Sequence, residues 1–384
     1  MSNTIGWGKA AENNTIGYGD GKDNSTNGWG SAYENSWSGE TLLEVLLTAP
    51  VNVSAPVVSG TASVGSVLTT TNGTWDNEPT SYTYQWKRNG SNILSATANT
   101  YTIVAADVSQ SITCTVTATN DAGSASATSN TITPTWETDA QAFITAAAIT
   151  DPTQQSAVNN LVIGMKADGL WSKMKAIYPF VGGTSSTHKF NLKNPLDTDA
   201  AFRLVFNGGV THSANGITGN GTNGFADTKL NEQNILGLNN KHISLYVRND
   251  VTTNNVTQMG IFTNASSRFI LNFNNSINYS NLGSSGQISH SLIYPVKGFV
   301  CMSRTNSSDC VYFQNNTTPV TKTSSSASNN NNFYVLALNS SNTASQYCSD
   351  NIAFSSIGDG LTNTDYANLN NRVTTFQTAL NRNI

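Results

Sequence analysis

Apolar and polar residues alternate with a period of two through several short runs: "FRLVFNGG" (Phe202–Gly209), "HISLYVRND" (His242–Asp250), "RFILNFNN" (Arg268–Asn275) and "FYVLALNSS" (Phe333–Ser341). Each predicts a half-buried strand with a polar outer face. Polar stretches such as "NGITGNGTNGFADTKL" (Asn215–Leu230) separate them. That arrangement predicts a large antiparallel sandwich rather than alternating βαβ units. From Val57 to Pro134 the β runs are shorter and are broken by Gly, Asn and Asp roughly every ten residues, the pattern of a small sandwich.

A period near 3.6 appears in three places. Thr138 predicts a cap for a turn starting at Asp139, and Asp151 with Pro152 opens a helix running towards Lys166. Near the end of the chain, Thr362 and Asp365 form a capping-box-like start. Tyr366, Leu369, Val373, Phe376 and Leu380 then recur at spacings of three and four, the apolar stripe of a closing helix. "SGETLLEVLLTAP" (Ser38–Pro50) fits a strand or two helical turns equally well.

The first residues obey neither period. Ile5 to Trp37 is an eleven-residue repeat in three copies, each with glycine, a large aromatic and glycine again: Gly6-Trp7-Gly8, Gly17-Tyr18-Gly19 and Gly28-Trp29-Gly30. An acid follows (Glu12, Asp23, Glu34), then Asn (Asn13, Asn24, Asn35). Glycines this dense exclude a helix, and one ring per copy cannot offset the backbone entropy of the segment. The repeats are expected to be short extended segments whose rings plug a partner surface or one another, with a biased flexible tail as the alternative. Three tails could interleave Trp7, Tyr18 and Trp29 into one core, so a homo-oligomer, a trimer first, is expected.

"YTYQWKRNGSNILSATANTYTIVAADVSQSITCTVTATNDAGSASATS" (Tyr82–Ser129) resembles a bacterial immunoglobulin-like domain of the kind common in cell-surface and phage proteins. The resemblance implies that Trp86 is the buried strand-C tryptophan and that Asn89-Gly90 is a hairpin turn. It also makes Asp107 the acid of the E–F corner. The strand-B cysteine of that family is replaced by Leu68, so Cys114 is expected to be an unpaired core residue, with Trp75 and Trp86 as packing residues. From Ala140 to Ile384 the chain resembles the concanavalin-like, laminin-G-like jelly rolls of phage structural proteins. "LWSKMKAIYPFVGG", "FRLVFNGGVTHSANGITGNGTNGFADT" and "IAFSSIGDGLTNTDYANLNNRVTTFQTAL" carry that likeness. The expected fold is therefore mainly β: attachment repeats over 1–50, an Ig-like sandwich over 51–134 and a jelly-roll sandwich with short flanking helices over 135–384.

Composition narrows the function. Only 11% of the 384 residues are charged and the net charge is −4, which argues against a nucleic-acid partner. No apolar stretch is long enough for a bilayer span. Met1 is followed by neither a basic nor an apolar leader region, so the expected route outward is lysis, on the surface of a virion made in the host cytoplasm. Cys114, Cys301, Cys310 and Cys348 form no CxxC pair; Cys301 with Cys310 is the one pairing that adjacent strands could bring together.

Catalytic chemistry finds little to use. Glu232 is the only Glu after Ala140, and Asp197, Asp199, Asp227, Glu232 and Asp250 stand in no glycosidase-like pattern. No G-x-S-x-G elbow occurs. His188, His212, His242 and His290 show no metal spacing. The expected protein is non-enzymatic. Concanavalin-like folds often hold sugars on loops rich in Asn, Asp and Gly with one aromatic, some with calcium. The loop offering those groups here contains His212, Asn215, Asn220, Asn223, Phe225 and Asp227. Its plainer alternative is that the asparagines and glycines only shape a turn. No cofactor is expected. Three functions stay open: a virion structural component docked on other capsid or tail proteins, a host-glycan adhesin, and a polysaccharide-cleaving enzyme.

Overall fold

A computed structural model describes residues 47–249, 256–264, 267–274, 277–282, 287–291, 297–315, 319–323 and 329–384. The eleven-residue repeats, including Gly6, Trp7, Gly8, Gly17, Tyr18, Gly19, Gly28, Trp29 and Gly30, lie outside the described residues, as does Asp250. Leu47–Ile384 forms one compact unit. It is mainly β, as the alternation predicts.

The small sandwich packs a four-stranded sheet, in the order Ser91–Asn92, Ser81–Arg88, Ile112–Asn120, Gly123–Thr128, against Val58–Ser59, Val67–Thr70 and Thr100–Thr102. Trp86 is fully buried, opposite Cys114 in the register, and donates its indole N–H to the Ala98 carbonyl at 2.9 Å. Leu68 fills the strand-B position at 0% exposure, and Cys114 is a free, buried thiol. Asn89 and Gly90, both at positive φ, make the turn joining Arg88 to Ser91. Asp107 is buried and accepts from the Tyr101 hydroxyl, the Val104 N–H and Arg88. Trp75 departs from expectation. It sits half-buried in the two-stranded pairing of Thr74–Asp76 with Val51–Ser54, outside the core cluster, its indole N–H on the Asn72 carbonyl.

Pro134–Trp136, which follows the small sandwich, is bonded on both sides. Ser109 N–H reaches the Pro134 carbonyl and Val64 N–H the Thr135 carbonyl, while Glu137 N–H reaches Asn159 of the following helix. Trp136 is buried in a core cluster that continues from Trp86 to the helices. The first helix is Thr138–Ala146, one residue earlier than expected, because the Glu137 carboxylate accepts the Asp139 and Ala140 N–H groups and so takes the cap from Thr138. The second is Pro152–Ala167 with Asp151 as cap; the last is Asn363–Ala379 with the Thr362/Asp365 capping box.

The large domain is a two-sheet sandwich. Among the described residues one sheet has eight strands and the other nine, antiparallel except for Gly260–Phe262 against Leu338–Ser340. Ile243, Leu245, Met259, Phe269, Phe333 and Ile357 form the core between the sheets. Tyr246, Phe299, Phe313 and Phe354 point the other way, onto the terminal helix, where Tyr366 stacks on Phe313 with centroids 4.1 Å apart. The expectation of a polar, solvated outer face therefore fails for Lys241–Val247, which is buried at every position, as is its partner strand Gly298–Arg304. "FYVLALNSS" also splits, into Asn332–Val335 and Leu338–Ser340, with Leu336 between them at φ 71°. Cys301 and Cys310 do sit on paired strands, but Cys301 faces the helix and Cys310 the inter-sheet core, so both are free.

Trp86→Ala is expected to cost roughly 3–5 kcal/mol, the range for a buried large aromatic, read from denaturant unfolding. Adding a reductant to the wild-type protein should leave its unfolding midpoint unmoved, since Cys114 has no partner to lose.

Candidate functional site

The loop that links the two sheets is built by its own side chains. Asn220 Oδ1 accepts three backbone N–H groups, from Thr222 (3.1 Å), Asn223 (3.0 Å) and Gly224 (2.9 Å), and its amide donates to Asn223 Oδ1. Asn223 Oδ1 also takes the Gly209 N–H at 3.0 Å. Gly208 is required here: its φ is 61°, and a Cβ would lie 2.1 Å from the Asn223 carbonyl. Asn220 and Asn223 are thus occupied in shaping the turn. Asn215 sits exposed at the tip of the hairpin joining Thr211–Ser213 to Gly216–Thr218.

Phe225 and Asp227 are placed differently. They alternate with Ala226, which faces the core, so both lie on the outer face of the nine-stranded sheet. Tyr334, opposite Asp227 in the register, shares that face. The Phe225 ring packs on Tyr334 at 4.6 Å and 30°, and Tyr347 approaches Phe225 at 6.3 Å. The Asp227 carboxylate accepts from the Lys229 N–H, Lys229 Nζ and Asn332 Nδ2. Burial beside Asp227 and Tyr347 raises the Tyr334 phenol pKa. The result is an aromatic shelf in which Tyr334 and Asp227 are buried, at 8% and 7% exposure, and Phe225, Tyr347, Lys229 and Asn332 are half-buried along its edge. Such a surface can stack an apolar ring face and hydrogen-bond its edge. Tyr334, Tyr347, Lys229 and Asn332 were missed by sequence reasoning. For Tyr334 and Asn332 the signal was present in the alternation of "NFYV", which puts both on the face opposite Phe333.

His212 leaves this group and joins His188, twenty-four residues earlier. The two Nδ1 atoms are 3.1 Å apart. His188 Nε2 accepts the Gly183 N–H at 3.2 Å, so the His188 proton is on Nδ1 and is donated to His212 Nδ1, leaving the His212 proton on Nε2. Burial, with His212 and the Arg382 guanidinium nearby, pushes His188 down to about 3. The six predicted residues therefore do not converge: Phe225 and Asp227 form the shelf, Asn220 and Asn223 the loop, His212 and Asn215 the neighbouring hairpin.

The other expected chemistry is structural. His242 Nδ1 donates to the Asp359 carbonyl (2.6 Å), so its Nε2 accepts from Ser356 Oγ (3.1 Å), which in turn accepts from Ser244 (2.6 Å). This Ser–His contact has no solvent access, all three residues being fully buried, and burial lowers His242 to about 4. Asp197 is paired with Lys189 and Arg203, Asp199 with Arg203, and Glu232 with Lys241. Among the described residues no three His, Cys, Asp or Glu side chains group as a metal site; the side chain of His290 lies outside them.

No family model and no curated protein matches the chain. Among solved structures it is similar to domain 4 of AbnA, a GH43 extracellular arabinanase from Geobacillus stearothermophilus in complex with arabinotriose, at 15% identity and TM-score 0.38. That match covers 52% of this chain and 98% of that one. It is also similar to Trypanosoma rangeli sialidase in complex with sialic acid, at 7% identity and TM-score 0.38, covering 84% of this chain and 53% of the sialidase. The chain thus spans about half the length of the sialidase it matches. Likeness this remote transfers no function.

Both buried histidines are neutral in the folded state, with pKa values of about 3 and about 4 against about 6.5 when unfolded. Their contribution to stability is complete above the unfolded value and declines as pH falls below it. The melting temperature should therefore drop between about pH 6.5 and pH 5, before carboxylates titrate. His188→Gln should flatten that slope by one proton, as measured by thermal melts across the range; an unchanged slope would remove the role assigned to His188.

Proposed function

We propose that this chain is a non-enzymatic display protein of a phage particle, whose large sandwich holds host-surface glycans on the shelf formed by Phe225, Tyr334 and Tyr347. The shelf is the observation that carries this proposal: a packed, tilted aromatic pair with Asp227, Lys229 and Asn332 at hand suits a pyranose, with its apolar face and hydroxylated edge. The proposal assigns Asp197, Asp199 and Asp227 to structure rather than catalysis, because each is held in an ion pair. Placement on a virion is supported by the sequence resemblance and by the repeats, whose Trp7, Tyr18 and Trp29 anchor the protein to capsid or tail proteins and join three copies. Weak single-site affinity becomes effective when three copies engage one surface.

A glycan array probed with the full-length protein tests the first half. Phe225→Ala should reduce binding at least tenfold, the effect of losing about 1.4 kcal/mol of stacking, while circular dichroism stays unchanged; an array signal indifferent to Phe225 would sink the shelf. Deleting Ser2–Gly39 tests the second half. The truncated protein should stay folded, fail to join particles and lose the trimer in light scattering.

A further inference from the structure

We propose that Lys241 and Glu232 are joined by an amide bond between Lys241 Nζ and Glu232 Cδ, formed by the folded chain itself with loss of water. Both side chains lie in the interior, at 2% and 4% exposure, with Lys241 Nζ in contact with Glu232 Oε1. Lys241 begins the strand Lys241–Val247 on its inter-sheet side, and Glu232 opens the one-turn helix Glu232–Ile235. The strand and the start of the short helix therefore place the two groups against each other.

The hydrogen-bond inventory of this place suits an amide better than an ion pair. An ammonium carries three donors. Among the described residues Lys241 Nζ has one acceptor, Glu232, plus the face of Phe269 at 5.2 Å. A carboxylate seeks several donors, whereas among the described residues this one has Lys241 and the backbone N–H of Asn329. An amide would leave one N–H and one carbonyl, and the Asn329 N–H already addresses the carbonyl. The site is also poor for a second cation. Arg304 is the cross-strand partner of Lys241, is fully buried, and by alternation occupies the same inter-sheet side. Like charges on directly opposed positions are unfavourable, and condensation removes one of them.

The chemistry balances without another reactant. The ammonium proton passes to the carboxylate, giving neutral amine and neutral acid. Burial, the largest cause, raises the Glu232 pKa and so favours proton uptake by the carboxylate, while the charge and hydrogen bond of Lys241 act in the opposite direction. The amine nitrogen then attacks Cδ, the C–N bond forms and the C–OH bond breaks, with the hydroxyl leaving as water after taking a proton from nitrogen. The Asn329 N–H stabilises the oxygen that becomes negative in the tetrahedral intermediate. Held in contact, the pair has an effective concentration on the order of 10⁵–10⁸ M for well-oriented groups.

Digestion of the denatured full-length protein with trypsin and mass spectrometry of the peptides decides it. Without the bond, cleavage after Lys229, Lys241 and Arg248 gives Leu230–Lys241 and His242–Arg248 separately. With it, Lys241 is blocked and a single peptide Leu230–Arg248 is expected, lighter than its sequence by one water. That stretch contains no Asp, so succinimide formation at aspartate cannot mimic the loss. Lys241→Arg cannot form the bond and should give the ordinary mass with cleavage restored after residue 241. Two separate wild-type peptides at full mass would overturn the proposal, and so would a water loss from Leu230–Arg248 that persists in Lys241→Arg.

Discussion

Burying the central strands of the eight-stranded sheet on both faces is the constraint from which most of the large domain follows. One side meets the second sheet and the other meets the helices Pro152–Ala167 and Asn363–Ala379. A strand covered twice has no solvent for its polar side chains, so each must find a partner inside. His242, Ser244 and Ser356 form a chain that ends on the Asp359 carbonyl. Ser303 both accepts from the Leu361 N–H and donates to the Leu361 carbonyl. Most demanding is Arg382, 2% exposed, whose guanidinium gathers the carbonyls of Pro179, Phe180, Ala214 and Ala353. Those four carbonyls come from the ends of both the sheet and its flanking loops. The last residues of the chain thereby close the fold, and the cation is held by backbone dipoles rather than by a carboxylate, with burial lowering its pKa to about 9.

The same economy of charge marks the whole unit. With few acids available, several are committed to a cation, Asp168 to Arg372, Asp365 to Lys173 and Asp227 to Lys229, while the buried Asp350 is held by the amides of Gln258 and Asn249. The first two tie the helices to each other and to the sheet edge. Arg372 and Lys173 hold their partners' carboxyl pKa values below the ordinary range by hydrogen bonding, although burial works against this at Asp365. Carboxylates used in this way are poor general acids or bases, because their protonation state is fixed by a neighbour that does not turn over.

What could be read from the sequence was local. Helix starts were legible because a cap lies within three residues of the N–H it satisfies. Even there, Glu137 displaced Thr138, a competition between adjacent acceptors that propensity alone does not rank. Trp86, Leu68 and Cys114 were legible because the resemblance fixed a strand order in which they must meet. The shelf was half legible. Phe225 and Asp227 lie close in sequence, but Tyr334 and Asn332 come from a strand more than one hundred residues later, and no period connects them. Two-sided burial was not legible, since "HISLYV" shows the same alternation whether its polar side meets water or a helix. The distinction lies in the amphipathic helix that covers it, over one hundred residues away in sequence.

The junction between the sandwiches bears most directly on how such a chain would present a ligand face. A flexible linker would let the large domain sample many orientations, and each engaged copy would then lose that freedom on binding. Here Val64, Thr135, Pro134 and Glu137 are all hydrogen-bonded across the junction, Trp136 is buried, and Gly65 brings the small sandwich against Ile163 of the second helix. The small sandwich thus shares one continuous core with the helices and is held stiffly against them. In the proposed trimer, stiffness fixes the separation of the three shelves, which favours surfaces whose glycans match that separation and penalises those that do not. Selectivity would then arise from geometry as much as from Phe225, Tyr334 and Tyr347 themselves.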